Sequence, residues 1–220
     1  MGDVITIDGP AGSGKSTVAK ILAKRLGYTY LDTGAMYRAV ALLVKENRID
    51  LEDRYSLKRI CESIKIRFMQ QGNEQKVFLG ERDISEDIRT SEIDLLSSDI
   101  SLIKEVREIM TALQRRIAEN ANLVAEGRDM GTVVFPDARI KFFLTATFET
   151  RAMRRYVERK DKGDNISIEK IKKELAKRDT QDQSRSLAPL KPAKDAIVID
   201  TTDMDIEKVI DEMIFHIEKS

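Results

Sequence analysis

Apolar residues recur along this chain in two different periods, and the switch between them marks how it is organised. Val4 to Ile7 is a short β-branched run ending at Asp8, the pattern of a strand buried on both faces. Val18, Ile21, Leu22 and Leu26 follow at helical spacing, and Gly27 stands where a glycine closes a helix. Tyr28 to Leu31, Leu123 to Ala125, Ile140 to Leu144 and Ile197 to Asp200 are further short apolar runs. Helical stretches lie between them: through Ala39, Val40, Leu42 and Leu43, over Glu86 to Asn120, over Thr147 to Lys160, over Ser167 to Arg185, and over Ile206 to Ile217. Within the second, Ile100, Ile103, Val106, Met110, Leu113 and Ile117 repeat every three or four residues. Short apolar strands alternating with helices predict an α/β fold, a five-stranded parallel sheet with helices on both faces.

From Ile64 the period drops to two. Ile64, Ile66 and Phe68 alternate with Lys65 and Arg67, Gln71-Gly72-Asn73 turns, Lys76 to Leu79 returns, and Gly80-Glu81 turns again into Arg82 to Ser85. This reads as a small antiparallel insert at 64–85 within a single domain spanning 1–220.

One stripe changes character. Ile168, Ile171 and Leu175 share a helix face, and the same steps continue to Arg178, Asp182 and Arg185. Such a face either frays into solvent or leaves the core to line a polar cleft, where the arginines could grip an anion and Asp182 could take hydroxyl protons. Pro189 and Pro192 end the helix.

Composition narrows the function. Lys+Arg and Asp+Glu both number 38, so the formal net charge is zero, which argues against a general nucleic-acid or membrane-surface binder. Cys61 is the only cysteine, which excludes internal disulfides and cysteine-based zinc clusters. No apolar run approaches the roughly 18 residues of a membrane span. The expectation is a cytoplasmic protein.

The chemistry is concentrated between the first strand and the first helix. Gly9, Gly14, Lys15 and Ser16 fill the pattern G-x-x-x-x-G-K-[ST]. Glycines let the backbone N–H groups turn inward toward the helix N-terminus, Lys15 can reach outer phosphates, and the Ser16 hydroxyl suits a magnesium ion. Strand, loop and helix in that order predict a nucleoside triphosphate site. A second charged loop, Glu126-Gly127-Arg128-Asp129-Met130-Gly131-Thr132, follows a strand end, where open α/β sheets place ligands. Arg38, one turn into the helix after Asp32-Thr33-Gly34, reads as a ligand or as a surface arginine. Arg151, Arg154, Arg155 and Arg159 are expected on the exposed side of their helix, either a solvated face or a phosphate-facing lid.

Together, Gly9–Thr17, Asp32–Arg38, Gly127–Ala138 and Arg185–Leu190 resemble bacterial cytidylate kinases over nearly the whole chain. The resemblance implies a P-loop kinase fold with a monophosphate-binding lobe at about 33–120 carrying the β insert, and a short helical lid at about 151–167. It implies ATP held by Gly9, Pro10, Ala11, Gly12, Ser13, Gly14, Lys15, Ser16 and Thr17, with Mg²⁺ on Ser16. It implies a CMP phosphate gripped by Arg38, Arg128, Arg178 and Arg185, cytosine read by Ser98, Arg107 and Asp129, and ribose held by Asp182; Thr33 stands where many members carry serine. Glu126 stands where some carry aspartate. The implied reaction is phosphoryl transfer from ATP to CMP or dCMP, with Lys15, Arg128, Arg154 and Arg155 around the transferring group, in a monomer with no nucleic-acid or membrane partner. A GTPase would need Asn-Lys-x-Asp and Asp-x-x-Gly motifs, which are missing; a kinase of another small acceptor such as AMP, UMP or shikimate remains the alternative.

Overall fold

The computed structural model describes residues 2–72, 74–161 and 163–219. In chain order its elements are β1 (Val4–Asp8), α1 (Lys15–Leu26), β2 (Thr29–Asp32), α2 (Thr33–Glu46), α3 (Arg54–Ser63), β3 (Ile66–Gln71), β4 (Glu74–Leu79), β5 (Arg82–Asp83), α4 (Ser91–Ile100), α5 (Lys104–Ala118), β6 (Leu123–Gly127), β7 (Ile140–Thr145), α6 (Phe148–Asp161), α7 (Ile168–Ser184), β8 (Ile197–Asp200) and α8 (Ile206–Glu218). A 3₁₀ turn at Asp87–Arg89 and a π turn at Met130–Val134 complete it. Asn73 of the expected turn and Lys162 of the expected lid lie outside the described residues. The chain forms two compact units, Met1–Tyr30 with Ala118–Ser220, and Leu31–Ile117.

The first unit carries a parallel sheet of order β2-β6-β1-β7-β8, flanked by helices. Every residue of β1 is buried, because it pairs on both sides and is covered on both faces; hence its unbroken apolar run. Ile5, Ile7, Phe142, Leu144 and Ile199 of the strands meet Val18, Leu22, Val209, Ile210 and Met213 of α1 and α8 in the main core. A smaller cluster joins Ala11 to Ala152, Ile171 and Leu175 of α6 and α7. The register sets Asp8 beside Gly127, so the loops after β1 and β6 leave the same sheet edge side by side.

In the second unit α2 packs on α3, α4 and the 3₁₀ turn, and β3-β4-β5 form the antiparallel meander, with Ile66 opposite Leu79 and Phe68 opposite Val77. Three details depart from the sequence expectation. The meander starts at Ile66, since Ile64 closes α3. Helix α3 itself went unpredicted: only Leu57 and Cys61 anchor it, too narrow a stripe to read, although Asp53 caps it through the Ser56 N–H at 3.0 Å. The single helix expected over 86–120 is broken at Ser101–Ile103. There the Ser97 and Ser101 hydroxyls donate to the carbonyls of Asp94 (2.9 Å) and Ser98 (2.7 Å), competing with helix continuation, while buried Ile100 and Ile103 carry the apolar repeat through the break. Burial pushes the Cys61 thiol up to about 12, so the lone cysteine is inert at neutral pH.

Candidate active site

The loop between β1 and α1 is shaped by backbone contacts that only glycine permits. A Cβ on Gly9 (φ +146°) would lie 2.0 Å from the Leu144 carbonyl oxygen, and one on Gly12 (φ +79°) 2.8 Å from that of Arg151. Helix α1 then begins on Gly14 (φ 90°) with no side-chain cap and no acidic residue in its first turn, so its N-terminal N–H groups are left for an anion. Lys15 is buried and donates to the Pro10 carbonyl at 2.7 Å. Burial, then the guanidiniums of Arg128 and Arg178, push its ammonium well below the ordinary lysine range against the pull of Glu126 and Asp182. Ser16 donates to Glu126 Oε2 at 2.9 Å, while the Tyr30 hydroxyl donates to Glu126 Oε1.

Asp8 ties the two loops together: its carboxylate oxygens accept the N–H groups of Met130 (2.9 Å) and Gly131 (2.8 Å). Burial raises its pKa to about 6, the two N–H donors opposing the shift only in part. A raised carboxyl contributes stability that is complete below its unfolded value of 3.8 and is lost as pH rises through about 6. The amide introduced by Asp8→Asn cannot ionise, so the stability of wild type minus that of the variant should fall by about 2 kcal/mol between pH 4 and pH 7. Denaturant unfolding of both proteins across that range checks this; a constant difference would contradict it.

The stripe along α7 does not fray. Asp182 and Arg185 are buried and Arg178 half-buried. Arg128 Nε donates to Asp182 Oδ2 at 2.7 Å, and Arg185 lies 3.9 Å from both Asp129 and Asp182. Burial alone would raise the Asp182 pKa, but Arg128, Arg178 and Arg185 hold it below the usual carboxylate range. Ala188 adopts φ 50°, a strained value for a residue with a Cβ, and its carbonyl accepts from Arg185 Nε. The first unit thus brings buried Lys15, Asp129, Asp182 and Arg185 together with half-buried Arg128 and Arg178 in one charged cluster.

The arginines of α6 correct the expectation of an exposed face. Arg151 is buried, and Arg154, Arg155 and Arg159 are half-buried. Each is drawn in by an acceptor: Arg154 donates to the Thr201 hydroxyl (2.9 Å) and carbonyl (2.6 Å), Arg155 pairs with Glu158 (2.8 Å), and Arg159 with Asp164 and, at 3.7 Å, Glu174. Of the two lid candidates, Arg154 lies beside the phosphate loop, with Nη1 4.0 Å from where a Gly14 Cβ would stand.

In the second unit Asp32 both caps α2, accepting the Ala35 N–H at 2.8 Å, and pairs with Arg38 at 3.1 Å; Asp94 lies 3.9 Å from the same guanidinium. Gly34 leaves room for it, since a Cβ there would come within 3.0 Å of Arg38 Nη1. Thr33, Ser98 and Arg107 are buried; Arg107 donates to the Ser101 carbonyl at the helix break (3.1 Å) and lies over the Tyr37 ring. The sequence reading missed Asp8, Tyr30 and Asp179 as parts of the site, and placed Arg151 on an exposed face where the structure buries it. Asp8 left a trace, a carboxylate ending an otherwise apolar strand; Tyr30 and Asp179 had none, since their partners Glu126 and Arg151 are far away in sequence.

A family model described as cytidylate kinase matches residues 5–219. A cytidylate kinase of Carboxydothermus hydrogenoformans is 50% identical over 210 residues, covering 96% of this chain and 95% of that one. One of Thermotoga neapolitana is 46% identical over 220 residues, covering 100% and 98%. Among solved structures, a shikimate kinase from Bacteroides thetaiotaomicron aligns with a TM-score of 0.51 at 10% identity, covering 98% of each chain, a likeness of fold alone.

Proposed function

The chain belongs to the cytidylate kinase family, and from that premise we propose how its residues move the γ-phosphoryl group of ATP onto CMP or dCMP, giving CDP or dCDP. The observation that carries the reading is the cluster of buried Lys15 and Arg185 with half-buried Arg128 and Arg178 beside an uncapped helix N-terminus. Gly9 to Thr17 hold the ATP phosphates. In the first unit Arg128, Arg178 and Arg185 take the CMP phosphate, Asp182 its ribose and Asp129 its base. For the second unit the family resemblance implies acceptor roles for Arg38 and Thr33 and base reading by Ser98 and Arg107. An oxygen of the CMP phosphate attacks the γ-phosphorus while its bond to the ADP oxygen breaks. The acceptor is already anionic, so no side chain must remove a proton, and catalysis is positioning and charge neutralisation. Lys15, Arg128 and Arg154 are the cations nearest that chemistry; Arg155, paired along its own helix, is the weaker second lid candidate.

The Ser16 hydroxyl and Glu126 carboxylate, 2.9 Å apart, are a hard-oxygen pair that fits Mg²⁺. Bound there with ATP, the ion would supply neutralisation of phosphate charge, and Tyr30 would hold Glu126 in place. No helix among the described residues is long and apolar enough to cross a membrane; a cytoplasmic monomer acting on small molecules is part of the same proposal.

Charge-assisted hydrogen bonds contribute roughly 1.5–3 kcal/mol each. Arg178→Ala and Arg185→Ala should therefore each raise the KM for CMP by about 10- to 100-fold and leave the KM for ATP within about threefold. Steady-state kinetics with each substrate varied decides it; an unmoved KM for CMP would remove the acceptor role.

A further inference from the structure

Arg151 is buried and bonded to three other segments of the chain. Its buried guanidinium donates from Nε to the Ala146 carbonyl (3.2 Å), from Nη1 to the Ala11 carbonyl of the phosphate loop (3.1 Å) and to Asp179 Oδ1 (3.1 Å), and from Nη2 to Asp179 Oδ2 (2.7 Å). Asp179 is itself largely buried, so the bidentate pair is poorly screened. Three segments therefore converge on one planar group: the ATP loop at Ala11, α6 at Arg151, and α7 at Asp179. Two further contacts bind the same three segments. Ala11 packs with Ala152, Ile171 and Leu175. Gly12 sits so close to the Arg151 backbone that a Cβ would not fit.

We infer that Arg151 and Asp179 are a positioning pair for the transfer step, fixing the distance between the loop that holds ATP and the stretch of α7 that grips the acceptor. The inference rests on the roles proposed above for Lys15, Arg178 and Asp182. Asp179 directly follows Arg178 and lies three residues before Asp182, so any slide of α7 that releases Asp179 also displaces the acceptor's ligands. In-line transfer needs the attacking oxygen about 3–3.5 Å from phosphorus, and a misplacement of about 1 Å can cost on the order of 10²-fold in rate. A buried ion pair is weak evidence for stability, since apolar replacements are often as stable. What an apolar pair could not supply is a fork of donors that holds two carbonyls and a carboxylate at once, and a lysine ammonium could not span them either.

The test uses the full chain carrying Arg151→Lys or Asp179→Asn. Thermal melts give the folded fraction, titrations give the affinities for CMP and for a non-hydrolysable ATP analogue separately, and saturating assays give kcat per folded molecule. The expected result is a kcat lowered about 10- to 100-fold with each separate affinity within about threefold of wild type. The double variant should be no worse than the poorer single one, because the two residues act as a unit. A kcat per folded molecule within about twofold of wild type overturns the inference. Failure of both variants to fold also overturns it, by assigning the pair to stability. The underlying site reading fails separately, if Arg178→Ala leaves CMP binding unmoved.

Discussion

Lys15→Ala is expected to lower kcat by about 10³-fold, as removal of a fixed cation facing a transferring phosphoryl group does. The same change should leave the fold no less stable. Burial and the neighbouring Arg128 and Arg178 already disfavour the Lys15 ammonium, so the folded chain loses a strained charge when it goes. The loop keeps its shape without that side chain, because Gly9 and Gly12 seat its backbone directly on Leu144 and Arg151. Activity and stability should thus move in opposite directions or stability not at all. Assays alongside thermal melts check this; near wild-type turnover, or an activity loss that matches a lost folded fraction, would contradict the role.

The second large effect concerns the base. Cytosine presents an N4 amino donor where uracil presents the O4 acceptor, and the N3 positions are likewise reversed. A buried carboxylate such as Asp129 accepts from the amino group and opposes the carbonyl. Sites built on polar complementarity reject the wrong partner by about 10⁴-fold, and a CMP-over-UMP preference of that order in kcat/KM is expected. Asp129→Asn should narrow the ratio by roughly 10- to 100-fold, since an amide can turn a donor toward O4. Arg107→Met, tested on its own, should lower CMP use more than UMP use, because arginine donates and never accepts. Equal use of CMP and UMP by the wild type would contradict the reading.

Much of this was legible in the chain before its fold was known. The five core strands and the phosphate loop announced themselves because a doubly covered parallel strand must be apolar throughout and a phosphate cradle needs glycine at set places. The α7 stripe was half legible: its face could be followed from Ile168 to Arg185, but whether the charged half was solvated or buried depended on Arg128, some fifty residues away, as its partner. The arginines of α6 were misjudged for the same reason. A helix face of four arginines looks exposed until Asp179 and Thr201 are known to stand against Arg151 and Arg154. The break at Ser101 escaped because buried Ile100 and Ile103 keep the helical repeat intact across it. Local pattern reports what each residue wants, while partners distant in sequence decide what the charged ones get.

On the proposed function, the Arg128, Arg178 and Arg185 cluster is built for the acceptor's phosphate. Titrating the wild-type protein with CMP and, separately, with cytidine tests it most directly, because the two differ only by that group. Several charge-assisted bonds to phosphate predict that CMP binds at least about 10²-fold more tightly than cytidine. Equal affinities for the two would show that the cluster does not hold the phosphate.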